Sequence, residues 1–187
     1  MEGKSLRVVL AITGASGVVY GAELAKALKK KCKLQLVVTH AAEKVFRLEA
    51  PEKRKELEKL GKIYSENEVE ADFASGSALV DAVVVCPCSM KTLSAIAHGY
   101  SYNSVARAAD VMLKEKRKLV LVPREMPFSE IHLENMLKLS RMGVIIIPAC
   151  PGFYHKPKKI EELVKHVVGK VMDSLGMKNS EFRRWRG

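Results

Sequence analysis

The chain has 187 residues, 48% of them hydrophobic and 28% charged, with a formal net charge of +11. That balance belongs to a globular chain long enough to bury a core and excludes a disordered one; without an apolar run of about 18 residues, a membrane span is excluded too. Four cysteines without a C-x-x-C pair and five histidines without an H-x-x-x-H or H-E-x-x-H pair leave no usual zinc site, so no metal is expected.

Apolar runs bounded by turn signals alternate with amphipathic stretches from end to end. That alternation predicts an α/β fold, doubly wound, with a mostly parallel sheet and helices on both faces. Strand one is expected at Leu6 to Thr13, followed by the turn Gly14-Ala15-Ser16-Gly17 and a helix to about Lys30. Strand two spans Lys33 to Thr39, with a helix from about Ala41. A charged helix from Glu52 to Leu60, a short strand at Ile63-Tyr64 and a small-residue loop, Ala74 to Ser77, lead to a strand at Asp81 to Cys86. Helices follow from Pro87 to about His98 and from Ser104 to Lys116, with Pro87 a rigid entry to the turn. Strands at Lys118 to Val122 and Val144 to Ile147 bracket a helix from about Ser129 to Met142. The last helix runs from Ile160 to Leu175, with Gly176 as its cap.

No Pro/Gly/Ser-rich linker divides the chain, so one domain is expected over residues 1–187, with 176–187 a tail or an arm. The N-terminus enters an apolar strand without a cleavage-like site, which predicts a cytoplasmic protein. The positive excess raises nucleic acid as a partner. Its clusters, Lys29 to Lys31, Lys114 to Lys118 and Lys156 to Lys159, fall at expected helix ends, however, and no nucleic-acid motif accompanies them. Neither nucleic acid nor a membrane is therefore expected as a partner.

In an open parallel sheet, ligands bind beyond the carboxyl ends of the strands, where strand order reverses. Gly14, Gly17 and Gly21 permit a tight turn and close packing, Ser16 offers a hydroxyl, and the following helix N-terminus favours an anion. The spacing departs from G-x-G-x-x-G, from the P-loop and from G-x-S-x-G, and Thr39-His40 stand where NAD enzymes place an acid. Ser89, Lys91 and Thr92 gather hydroxyls, amides and a cation at another helix start, although Ser89 reads equally well as an N-cap. Arg124 is suited to gripping a phosphate through two parallel hydrogen bonds. Glu125 reads either as a surface ion-pair member or, flanked by Met126 and Phe128, as a partly buried acid or base.

Taken together, ITGASGVVYG at 12–21, CPCSMKTLSAIAHG at 86–99, RAADVMLKEKRKLVLVPREMPFSEIHLENMLKLSRMG at 107–143 and PGFYHKP at 151–157 resemble the flavin prenyltransferases, the UbiX family. The resemblance covers nearly the whole chain. It implies a metal-independent enzyme that joins the dimethylallyl group of dimethylallyl phosphate to N5 and C6 of reduced FMN, making prenylated FMN for a separate decarboxylase. It implies FMN contacts from Gly14, Ala15, Ser16, Thr39, Ser89, Met90, Lys91, Thr92 and Arg124, and chemistry at Ser16, Glu49 and Glu125. Dimethylallyl phosphate would be held by Tyr154 and Lys170, with Arg107 and Lys114 adding positive potential and Trp185 closing the site. A homododecamer with sites at subunit interfaces is implied as well. Thr39 stands where serine is common and Lys170 where some members have arginine, which keeps the charge but loses the fork. The rival is an FMN-dependent decarboxylase of phenylacrylic acids or cysteinyl peptides; the cysteinyl branch carries P-A-S-A-N-T where this chain reads Cys86-Pro-Cys-Ser-Met-Lys-Thr92. A further alternative is a carrier that delivers FMN without catalysis.

Overall fold

In the computed structural model, which describes residues 5–68 and 70–185, six parallel strands form one sheet in the order β3-β2-β1-β4-β5-β6. The strands are β1 Arg7–Ile12, β2 Lys33–Val38, β3 Ile63–Ser65, β4 Ala82–Cys88, β5 Lys118–Pro123 and β6 Ile145–Ile146. The helices are α1 Val18–Lys29, α2 His40–Glu49, α3 Pro51–Glu58, α4 Met90–Ala97, α5 Ser104–Lys114, α6 Glu130–Arg141 and α7 Ile160–Ser174, with a 3-10 turn at Asp72–Ala74.

The central strands are apolar throughout because both their faces are covered. Val8, Leu10 and Ile12 of β1 join Ala82 and Val84 of β4 under α1 and α7, whereas Val9 and Ala11 join Val83 and Val85 on the α5 side. Successive side chains enter opposite cores, so hydrophobicity is continuous rather than alternating. The doubly wound α/β expectation is met.

Several boundaries differ from the sequence reading, three of them with a local cause or consequence. β4 continues through Pro87 to Cys88 because Pro87, lacking an N–H, still pairs through its carbonyl, which accepts from the Thr13 N–H at 3.2 Å. α5 stops at Lys114, and Lys116 turns the chain with a left-handed φ of 55°. β6 shrinks to two residues. Gly176 ends α7 with φ 78°, as expected of a cap. The expected tail or arm, described as far as residue 185, is packed against its own chain. It folds back on α7, where Arg184 pairs with both carboxylate oxygens of Asp173 at 3.0 and 2.7 Å, and Phe182 lies edge-on to His166 at 4.8 Å.

Candidate functional site

Strand order reverses between β1 and β4, so their carboxyl ends open the crevice in which the sheet can seat a ligand. A buried threonine bolts the two tips together. The Thr13 hydroxyl donates to the Pro87 carbonyl at 2.8 Å and accepts from the Ser89 N–H at 2.8 Å. Gly17 enters α1 in the left-handed region, φ 89°, which costs glycine little. A side chain on Gly14 would put its Cβ 2.4 Å from that of Ala41, so the turn lies directly against the start of α2. The expectation of a tight, closely packed glycine turn holds.

Most expected contact residues gather on this edge. Ala15 is buried and Ser16 exposed in the turn, and the Ser16 carbonyl accepts from Arg124 Nε at 3.1 Å. Arg124 therefore spans from the tip of β5 to the turn after β1, and no carboxylate pairs with it among the described residues. Ser89 is the N-cap of α4, its hydroxyl 3.1 Å from that of Thr92, and Met90 is half-buried in the first turn. The bland reading of Ser89 is thus true and compatible with a ligand, because a capping hydroxyl sits among the free N–H groups of a helix start. Thr39 likewise caps α2, accepting from the Ala42 N–H at 3.1 Å. Lys91 leans over the Tyr102 ring at 4.8 Å, beside a groove of about 430 Å³ shared with Ser94, Ala95, His98 and Tyr100.

The two expected carboxylates are set apart. Glu49, at the end of α2, accepts from the Gly17 N–H at 2.8 Å, so a carboxylate already occupies one donor of the α1 N-terminus. Glu125 is exposed and accepts from the Met126 N–H at 3.1 Å, while Met126 itself is 85% exposed. The partial burial expected for Glu125 is not found among the described residues: the chain leaves β5 at Pro123, and the Glu125 side chain stays exposed.

Tyr154 and Lys170 lie in a second, adjoining region, each beside His166. The loop after β6 passes Tyr20, whose hydroxyl is pushed above its usual pKa by burial and by nearby Cys86 and Cys150, against the pull of Arg124. Tyr20 thus links the Arg124 edge to the loop that carries Tyr154. Tyr154 packs edge-on against His155, His166 and Trp185 at 5.5, 5.5 and 5.7 Å. Lys170 lies on α7 close enough to His166 to disfavour its protonation. Arg107 and Lys114 do not join either group. Arg107 pairs with Asp110 at 2.7 Å and donates to the Ala74 carbonyl, and Lys114 pairs with Glu115 at 2.9 Å at the far end of α5, next to Gly76. α5 runs antiparallel to the strands, which carries its last turn to the opposite edge of the sheet.

The sequence reading passed over Thr13, Tyr20, His166 and Glu66. Glu66 accepts from the His40 N–H at 2.9 Å and from Asn103 Nδ2 at 2.7 Å, clasping the starts of α2 and α5 to the tip of β3. For Thr13 a signal existed, a lone hydroxyl at the end of an apolar run; the others are joined only by the fold. Cys86 and Cys88 are buried and burial pushes both thiols up, which makes them packing groups rather than nucleophiles. Among the described residues no three His, Cys, Asp or Glu side chains form a metal-holding group, and no helix is long and apolar enough to cross a membrane.

A glycine turn, two helix starts and an arginine around a strand-order reversal define a flavoprotein-like anion crevice, and the Flavoprotein family model matches residues 1–172. The flavin prenyltransferase UbiX of Methanocaldococcus jannaschii is 50% identical over 181 residues, which span 96% of this chain and 98% of that protein. A crystal structure of AnUbiX (PadA1) in complex with FMN and dimethylallyl pyrophosphate superposes with a TM-score of 0.94 at 40% identity, covering 98% of this chain and 99% of that one. A dodecameric FMN-dependent Ubix-like decarboxylase from Escherichia coli O157:H7 gives 0.91 at 43% identity, covering 97% and 100%. The chain belongs to the flavin prenyltransferases of the UbiX family, and is thus a transferase.

Proposed function

We propose that this chain, as one domain over residues 1–187, transfers the dimethylallyl group of dimethylallyl phosphate to N5 and C6 of reduced FMN. The prenylated FMN so formed serves a partner decarboxylase in the cytoplasm. The carrying observation is the Arg124 guanidinium, bound to the Ser16 carbonyl at 3.1 Å and to no carboxylate among the described residues, between two helix starts.

The crevice fits a flavin phosphate. Gly14 brings bare backbone against α2, Ser16 offers a hydroxyl and the α4 start offers Ser89, Met90, Lys91 and Thr92. Ala15 and Thr39 line the same turn. Reduced FMN supplies the electron-rich N5 and C6 that accept the prenyl carbon. The protein's share is electrostatic: cations hold the departing phosphate as the allylic C–O bond breaks, and aromatic faces shield the prenyl cation from water. Tyr154 and Lys170 hold that phosphate, and Trp185 covers it. The Glu125 carboxylate, assisted by Glu49 and the Ser16 hydroxyl, carries away the proton lost when N5 or C6 is alkylated. Exposed Glu125, Arg107 near the start of α5 and Lys114 at its far end act in this reading at sites completed between copies of a homododecamer. The dodecameric E. coli relative supports such an assembly.

The test is to incubate purified protein with reduced FMN and dimethylallyl phosphate without oxygen and read the flavin's mass. A gain of one dimethylallyl unit is expected; an unchanged flavin overturns the proposal. One observation favours a second reading, aromatic acid decarboxylation: the E. coli relative is described as a decarboxylase. Carbon dioxide release from a phenylacrylic acid by the protein and FMN alone would establish it.

A further inference from the structure

His166 has both ring nitrogens engaged, and the partners fix their roles. The Gly152 N–H donates to Nδ1 at 3.0 Å, so Nδ1 is unprotonated and the neutral ring carries its hydrogen on Nε2. Nε2 lies 3.1 Å from Tyr154 Oη, which must then accept. The phenolic hydrogen is left over and turns away from His166, toward the open side of a ring that is 41% exposed. The rest of the surroundings locks this arrangement. His166 is 7% exposed, stacks on His155 at 5.2 Å and meets Phe182 edge-on. Gly152 has no side chain, and a Cβ there would come within 3.2 Å of the Tyr154 ring and 3.3 Å of His166.

We propose that His166 is a positioning residue for the prenyl donor: its Nε2–H pins Tyr154 Oη as an acceptor, so that the Tyr154 hydroxyl presents its hydrogen to the phosphate. The inference rests on the reading that Tyr154 meets that phosphate, and adds a residue that never touches it. Burial, then His155 and Lys170, hold the His166 ring below its ordinary protonation range and so favour the neutral form, whose tautomer the Gly152 N–H selects.

The experiment measures dimethylallyl phosphate binding to the FMN-loaded protein by calorimetry for wild type, His166→Phe, His166→Gln, Tyr154→Phe and the Tyr154→Phe/His166→Phe double variant. His166→Phe keeps an aromatic ring against Phe182 and His155 but cannot donate; His166→Gln restores a donor near the Nε2 position. The expected results are a roughly tenfold weaker Kd for His166→Phe, recovery to within about twofold in His166→Gln, and no further loss in the double variant beyond Tyr154→Phe. In turnover the same loss appears in KM with kcat nearly unchanged, and FMN affinity does not move. Wild-type binding by His166→Phe, or losses that add in the double variant, overturn the inference while leaving the prenyl-transfer reading intact. A wild-type protein that binds no dimethylallyl phosphate overturns both.

Discussion

Both edges of the sheet carry cations and use them differently. At the amino edge, cations are matched: Arg7 pairs with Asp72 at 2.7 Å, Lys114 with Glu115 at 2.9 Å, and Arg117 donates to the Gly76 and Ala78 carbonyls. At the carboxyl edge Arg124 gives Nε to a carbonyl, Lys91 lies over a tyrosine, and neither has a carboxylate partner among the described residues. A net charge of +11 therefore says little about where an anion binds. Exposed ion pairs contribute about 0–1 kcal/mol and mostly pin loops, whereas a hydrogen bond from an unmatched guanidinium to a bound phosphate contributes about 1.5–3 kcal/mol.

The contrast can be broken at several points. Replacing Glu125 by Gln should keep FMN bound and slow prenylation by on the order of 10²-fold, read in a single turnover; an unchanged rate removes Glu125 from proton transfer. Arg124→Ala should weaken FMN about 10- to 100-fold in a fluorescence titration, with Arg124→Lys retaining part of the loss because the fork is gone. Equal affinity in all three proteins would mean that the carboxyl edge is not the anion edge.

Lys114→Ala tests the other side. Turnover should fall about tenfold while stability changes by less than about 0.5 kcal/mol, since only an exposed pair is lost. Mixed assemblies of Lys114→Ala and Glu125→Gln protein should then regain activity, as intact sites form where copies meet; no recovery would confine Lys114 to the far edge. Gly169→Ala probes the folded-back segment. Its Cβ would stand 2.3 Å from Phe182, so we expect a loss of about 1–3 kcal/mol and a Tm lower by several degrees.

The smallest effect concerns pH. Burial, His155 and Lys170 lower the His166 pKa from 6.5, and the ring is faced by Tyr154, Phe182 and the Gly152 N–H as well. The unfolded chain therefore takes up this proton first as pH falls. The stability contributed by the neutral ring is whole above about pH 6.5 and is lost below it, as pH descends through the folded-state pKa. Wild type should lose on the order of a degree or two of Tm across that window relative to His166→Phe. Parallel curves would mean that the ring protonates as easily folded as unfolded.

Much of the frame was readable in one dimension because it is repetitive. β1, β4 and β5 are buried on both faces and appear as unbroken apolar runs, and the turn after β1 announces itself by Gly14 and Gly17. β6, two half-buried residues at an edge, has too little burial to set its length by composition. The role of Ser89 as a cap was local and legible. The exposure of Glu125, the remoteness of Lys114 and the docking of Phe182 were not, since each depends on where another element lies.

By itself, the order of residues determined a doubly wound sheet, a glycine turn against a helix start, and membership of a family through long matching segments. Only the tertiary structure decided that Arg124 reaches a carbonyl 108 residues away, that Ser89 hangs from Thr13 across 76, and that the His166 ring meets the Tyr154 hydroxyl. Periodicity and turn chemistry act between neighbours in the chain, and burial imprints them on composition. A hydrogen bond between distant residues leaves no such imprint, because its geometry exists only after the sheet has brought its strand tips together.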